Sequence, residues 1–306
     1  PKFFHPDPTV KRQSGFLMPA FSSSSNSGSS LNTPYYHVIS DNKDLTLKPR
    51  FYSNDKFLIQ SEFRQVGKES KNELDVSYLQ EKNVSSKSHF FSKSATKLNL
   101  DKFNETKLEL QLQQVSSDTY LKSYKFDSPI IDNESVLKSS INFNAYNESL
   151  TLETSAQIFE DLDKKTSDRY EYIYPSFQLV KRFDENLSSN GQLILDSSGF
   201  IKNYDTNVFE TANINNLIFN TNSKITNNGL KNNFNFLIKN INSDSQKSKI
   251  YKDENSHSLA SLMQYNISYP LIKESNVGTN KINPRIALKF SPSNTKNMRD
   301  SDKRID

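Results

Sequence analysis

Along most of this chain apolar and polar residues alternate with a period of two, so each such stretch presents one apolar and one polar face when extended. Leu108-Glu109-Leu110-Gln111-Leu112-Gln113 alternates without a break, and Leu150 to Ile158 follows the same rule for longer. A helix needs apolar spacings of three and four, which these stretches lack. The pattern predicts strands at 44–52, 56–65, 72–79, 89–98, 108–113, 136–146, 150–158, 170–182, 192–195, 216–223, 232–240, 258–271 and 281–290. Clusters of Asn, Asp, Ser and Gly separate them, for example Ser53-Asn54-Asp55 and Asn227-Asn228-Gly229, and such clusters favour chain reversal. The expectation is an all-β, antiparallel up-and-down meander. At ~9–11 residues per strand, a chain of this length holds on the order of fourteen strands.

Three local features qualify this picture. Ser22–Ser30 is a Ser/Asn/Gly tract and reads as a flexible loop. Pro19 and Pro34 lie at or inside expected strands, where proline cannot donate to a ladder and suits an edge or a seam. Aromatic residues gather near strand ends, as at Tyr35, Tyr36, Phe51, Tyr52, Phe90 and Phe91. An interfacial girdle would place them there, and so would the high strand propensity of Tyr and Phe.

Composition separates the membrane barrel from its soluble counterpart. Only 34% of the 306 residues are hydrophobic and mean hydropathy is -0.74, whereas a globular core draws on roughly 45–50% apolar residues. An aromatic content of 11% is too high for a disordered chain. A transmembrane barrel reconciles the two, because its lumen face and loops are polar and only the lipid face is apolar. No apolar run reaches the ~20 residues of a spanning helix, so any crossing is made by strands.

The 39 basic and 35 acidic residues give a net charge of +4 without a clustered basic face, which argues against a nucleic-acid partner. Cysteine is absent, removing thiol catalysis and cysteine zinc sites. His5, His37, His89 and His257 are scattered, with no Ser or Asp at a spacing that suggests a triad. His5 and Asp7 lie in a proline-rich segment that offers no third ligand. The chemistry expected is therefore non-enzymatic, with no cofactor and no metal.

One segment is more specific than composition. Lys11, Arg12, Gln13, Ser14, Gly15, Phe16, Leu17, Met18 and Pro19, followed by Pro34, Tyr35 and Tyr36, resemble the opening of the barrel domain in the LptD family of lipopolysaccharide-assembly proteins. Asn283-Pro284-Arg285-Ile286 resembles a later strand of the same barrel. The resemblance implies a bacterial outer-membrane location and a fragment in which residues 1–13 join a missing periplasmic jelly roll to a partial barrel at 14–306. It implies lipopolysaccharide as cargo and outer-membrane lipid as surroundings. The plug lipoprotein LptE and the bridge protein LptA are the implied partners, and Pro19 and Pro34 the implied lateral gate. Another outer-membrane transporter or porin would share the alternation without these motifs, and a surface adhesin would show a repeat period.

Overall fold

The computed structural model describes residues 12–24, 28–165, 167–183, 191–275 and 278–292. Among the described residues the architecture is all-β and antiparallel, as the alternation predicts, with one short helix. Two compact units are present: residues 1–99, 107–143 and 157–171 form one, and 100–106, 144–156 and 172–306 the other.

The first unit contains β1 (Gly15–Phe16), β2 (Ala20–Ser24), β3 (Gly28–Asn32), β4 (Tyr35–Ser40), β5 (Lys43–Tyr52), β6 (Lys56–Val66), β7 (Ser70–Glu81), β8 (Val84–Lys97) and most of β9 (Glu105–Val115). From β4 to β9 each strand pairs antiparallel with the next. Short polar turns make this possible. Asp55 and Asn83 adopt positive φ, 56° and 61°, a conformation that Asn and Asp tolerate better than other side chains.

The register sorts the faces. On one face Leu45, Phe51, Phe57, Ile59, Phe63, Val76, Tyr78 and Phe90 align across the ladder, and the row continues to Leu110 and Leu112, which are 40% and 55% exposed. The opposite face is covered. It carries buried Asp44, Thr46, Leu58, Gln60, Glu62, Asp75, Ser77, Leu79, His89, Phe91 and Gln113.

What covers it is the segment after β9, which contains helix α1 (Tyr120–Tyr124). Tyr120, Leu121, Tyr124, Phe126 and Ile130 pack with Leu58, Leu79 and Phe91 into a hydrophobic core. Side chains of the covered face also satisfy the segment's irregular backbone, which has no ladder of its own. Arg50 donates to the Tyr124 carbonyl at 2.6 Å, Lys48 to that of Asp127 at 2.9 Å and Gln113 to that of Ile130 at 2.8 Å. Tyr52 and Phe91 belong to this core, so they are not girdle residues.

β10 (Val136–Tyr146) and β11 (Leu150–Asp161) run through both units, and the first residues of the next strand, Tyr170 and Glu171, lie in the first unit. The second unit continues with β12 (Tyr170–Arg182), β13 (Gly191–Tyr204), β14 (Val208–Thr221), β15 (Lys224–Ile225), β16 (Lys231–Gln246), β17 (Ser256–Ser268), β18 (Leu271–Ser275), β19 (Gly278–Ile282) and β20 (Arg285–Phe290). The long ladders β12 to β14, β14 to β16 and β16 to β17 are again antiparallel. Gly199 faces Phe177 across β12 and β13, and the Phe177 ring occupies the space a Cβ on Gly199 would need.

Four readings change. The stretch 258–271 is not one strand, because β17 ends at Ser268 and the chain restarts at Leu271 beyond Pro270. Pro284 likewise splits 281–290 into β19 and β20. The Ser22–Ser30 tract is largely a hairpin, with Ser22 opposite Ser30 and Ser23 opposite Ser29, and the Ser22 and Ser30 hydroxyls lie 2.7 Å apart. Proline-split strands and the two-residue β15 raise the number of described strand segments above fourteen.

Candidate functional site

The first hairpin is interrupted in both strands at the same level. β1 pairs with β4, Gly15 opposite Tyr36 and Phe16 opposite Tyr35, and pairing resumes between β2 and β3 at Ala20 opposite Asn32. Leu17, Met18 and Pro19 therefore oppose only Thr33 and Pro34. One extra residue on one strand is the geometry of a β-bulge, which bends the strand and increases its twist. The prolines cause the interruption, since neither can donate to the ladder. Both lie in the breaks and neither within a strand segment. The carbonyl of Pro34 remains in use, accepting the Leu17 N–H at 2.8 Å, while the Thr33 N–H turns to the Pro49 carbonyl at 3.1 Å. Pro34 is buried and Pro19 exposed. Within this unit β5 spans the break, pairing with β3 at Asn32–Arg50 and with β4 at Tyr35–Leu47.

Charged residues brace the lower half. Arg12 pairs with Asp44 and lies over the Tyr36 ring at 5.6 Å, and its hydrogen bond to Asp44 holds its pKa above the ordinary guanidinium value. Arg64 Nε donates to Asp44 Oδ1 at 2.7 Å. The Ser14 hydroxyl oxygen accepts the Val38 N–H at 2.8 Å. The Phe16 ring meets Tyr35 edge-on at 5.1 Å. Against the break lies a cavity of about 650 Å³, lined by Leu17, Met18 and Pro34 together with Lys48, Arg50, Arg64 and the acidic Glu62 and Asp127.

A second constellation was not visible from residue spacing. Ser77 and His89 are directly opposite on β7 and β8. Ser77 Oγ lies 2.7 Å from His89 Nδ1, and His89 Nε2 lies 3.0 Å from Asp75 Oδ1. Sequence spacing suggests no triad, and it is the strand register that brings His89 to Ser77 and Asp75. The order of contacts is that of a Ser-His-Asp relay, but all three groups are buried, under Tyr120 and Phe126. Ser77 Oγ also lies 2.8 Å from the Tyr120 hydroxyl, so the network anchors α1 to the covered face. Burial pushes the Tyr120 phenol well above its ordinary pKa, so it stays protonated. Among the described residues no group of three or more His, Cys, Asp or Glu could hold a metal ion.

Comparison with known proteins decides the family. A family model described as LptD protein matches residues 1–183. The chain belongs to the LptD family. LPS-assembly protein LptD of Pseudomonas putida (strain W619) is 47% identical over 73 residues, 24% of this chain and 8% of that protein. LPS-assembly protein LptD of Pseudomonas aeruginosa (strain LESB58) is 42% identical over 72 residues, again 24% and 8%. The aligned stretch thus spans 8% of the length of these relatives. Among solved structures, a bacterial polysaccharide outer membrane secretin aligns with 90% of this chain and 88% of its own, at 11% identity and a TM-score of 0.32. LptD membership and the antiparallel all-β architecture place the chain in the bacterial outer membrane.

Arg12, Ser14, Gly15, Phe16, Leu17, Tyr35 and Tyr36, on which the sequence resemblance rests, converge on the first hairpin, together with Pro19 and Pro34. Lys11, His5 and Asp7 lie outside the described residues. Pro284 and Arg285 belong to the second unit and build a similar break there: the Tyr269 N–H donates to the Pro284 carbonyl at 3.1 Å, and pairing with β17 begins at Ser268 opposite Arg285. Here Pro284 and all of β20 are exposed. The partner proline of this break, Pro270, escaped sequence reading because alternation continues across it.

Proposed function

We propose that this chain is part of a barrel that moves lipopolysaccharide into the outer leaflet of the outer membrane without covalent chemistry. In this reading the apolar face of β5 to β9 meets lipid, and the covered polar face lines the lumen. Residues 1–13 join a periplasmic domain to the barrel at 14–306, LptA delivers the cargo, and LptE plugs the full barrel.

The observation that carries the reading is the bulged, proline-broken first hairpin in a chain of the LptD family. Pro19 and Pro34 each withhold a backbone donor. Each missing bond forgoes a net ~0.5–1.5 kcal/mol, so closure beside the first strand is weakened where cargo would leave sideways. Among the described residues of this unit no strand pairs with the other edge of β1 and β2, and Phe16, Met18 and Phe21 on those strands or the break between them are 79%, 89% and 81% exposed.

The test uses the full-length protein with Pro19→Ala and Pro34→Ala combined, beside Pro270→Ala with Pro284→Ala. The first pair should assemble normally, slow lipopolysaccharide export and admit large antibiotics, whereas the second should leave export unchanged. Wild-type export from a normally assembled Pro19/Pro34 variant would remove the gate role from these prolines.

A further inference from the structure

The long ladders of the second unit carry a belt of side-chain amides on one face. Register places Ser197 opposite Asn215, Asn215 opposite Asn240, Asn213 opposite Asn242 and Asn242 opposite His257, so these six side chains share a face of the sheet. They bond to one another. The Ser197 hydroxyl donates to Asn215 Oδ1 at 2.6 Å, and Asn215 Nδ2 reaches Asn240 Oδ1 at 3.4 Å. Asn242 Nδ2 donates to the same Asn240 oxygen at 2.7 Å, and His257 Nδ1 lies 2.9 Å from Asn242 Oδ1. The opposite face is covered at this level, where Ala212, Ile241, Ser243 and Ser258 are buried and the segment after β16 accepts the Ser245 hydroxyl at the Lys252 carbonyl. The belt face is open. Leu259, opposite Asn240, is 63% exposed.

Beside the belt the same face turns apolar, with Leu195, Leu217 and Ile238 in one row and Phe219, Phe236 and Met263 in the next. That second row continues to Phe290, 63% exposed. On β16 the apolar run is short. Asn232 and Asn240 bound Phe234, Phe236 and Ile238, five residues that cover about 17 Å along the strand. The lipid band of a barrel is about 25 Å tall, and strand tilt lowers the height of those five residues further. The shortfall is met by amides. An amide nitrogen has two hydrogens and its oxygen two lone pairs, so an amide already bonded to its neighbour keeps capacity for a hydroxyl. The belt holds no Lys, Arg, Asp or Glu, so it suits uncharged hydroxyls and not phosphates, which call for cations. Leu259 offers an apolar contact for the C–H face of a sugar ring. We propose that this belt is a contact site for uncharged sugar headgroups of the surrounding membrane, whose hydrocarbon ends at the row of Leu195, Leu217 and Ile238. The proposal rests on the barrel reading above, in which the uncovered face of a sheet meets lipid.

Depth is tested with nitroxide labels, carried on genetically encoded ketone residues in place of Phe236 or Asn240, in the full-length protein in dioleoylphosphatidylcholine vesicles. Collisions with oxygen should dominate at position 236, and collisions with a water-soluble nickel chelate at position 240. A label at 240 as oxygen-rich as that at 236 puts the belt in hydrocarbon, and one shielded from both reagents puts it under protein; either overturns the proposal. A label at 236 without oxygen contact instead removes the lipid-facing reading of this wall, and the headgroup site with it. The headgroup itself is tested by unfolding in urea after part of the lipid is replaced by monoglucosyl diacylglycerol with the same chains. The replacement should raise the folding equilibrium constant of the wild type about tenfold, the worth of one or two ordinary hydrogen bonds. No gain, or an equal gain with phosphatidylglycerol, overturns the sugar assignment. Asn215→Leu combined with Asn240→Leu should abolish the gain, and an undiminished gain would move the sugar contact off the belt and overturn the site. The comparison of lipids uses the wild type alone, so it stands whether or not this variant folds.

Discussion

Replacing Leu110 with lysine tests which face of the sheet meets lipid. Leu110 is the central residue of the eleven-residue β9, it is 40% exposed, and its neighbour Leu112 is 55% exposed. In a barrel wall the middle of a strand sits near the bilayer midplane, where an outward lysine costs ~2–4 kcal/mol. If the same face met water, the substitution would fall within ~0.5 kcal/mol of neutral. Gln111 is the internal control. It points to the covered face, opposite Lys93, so Gln111→Lys adds a like-charge pair worth about 0.2–1 kcal/mol. Both variants of the full-length protein would be folded into lipid vesicles and unfolded in urea. Leu110→Lys should lose clearly more stability than Gln111→Lys. A Leu110→Lys cost below ~0.5 kcal/mol, or no larger than that of Gln111→Lys, would refute the lipid-facing assignment and favour a soluble sheet.

Two further outcomes follow from the covering segment. Tyr120→Ala should cost about 3–5 kcal/mol through the cavity it leaves and raise hydrogen exchange across residues 116–135. Tyr120→Phe should cost only ~0.5–1.5 kcal/mol, because Ser77 keeps its bond to His89; equal effects of the two variants would contradict the packing role. At the rim, Lys122 lies 2.5 Å from Asp163 and holds that carboxyl below its ordinary value of 3.8. A depressed carboxyl favours the folded state above the unfolded pKa, and this contribution fades as pH falls through the lower folded value. Lys122→Gln should return the Asp163 titration, followed by NMR, toward 3.8, and an unmoved titration would break the pairing.

The sequence specifies strands wherever alternation is unbroken, and 136–146 and 170–182 coincide with β10 and β12. It misleads where side-chain identity imitates a turn. The expected strand 192–195 stops before Asp196-Ser197-Ser198-Gly199, yet that stretch lies inside β13, where the Phe177 ring packs beside Gly199. Helix α1 escapes for the opposite reason: five residues are too few to display a helical period, and tertiary packing of Tyr120 and Leu121 stabilises it. The Asp75–Ser77–His89 network needs register as well as composition. Ser77 meets His89 only because the tight turn at Lys82 and Asn83 aligns β7 with β8. The first hairpin is legible from its motif residues, but the pairing of Arg50 with Asn32 depends on β5 bridging the proline break.

Two proline-broken hairpins in one chain bear on what the first one does. If a missing backbone donor were sufficient for opening, Pro270 and Pro284 would mark a second exit, since the Tyr269 to Pro284 bond repeats the Leu17 to Pro34 bond. The surroundings differ. Pro284 and β20 are exposed, whereas Pro34 is buried and forms a wall of the cavity lined by Lys48, Arg50 and Arg64. Bending a strand is general, and a proline supplies it in either place. On the transport reading proposed above, exit at the first hairpin would therefore depend on the buried Pro34 and the cavity behind it as well as on the break itself.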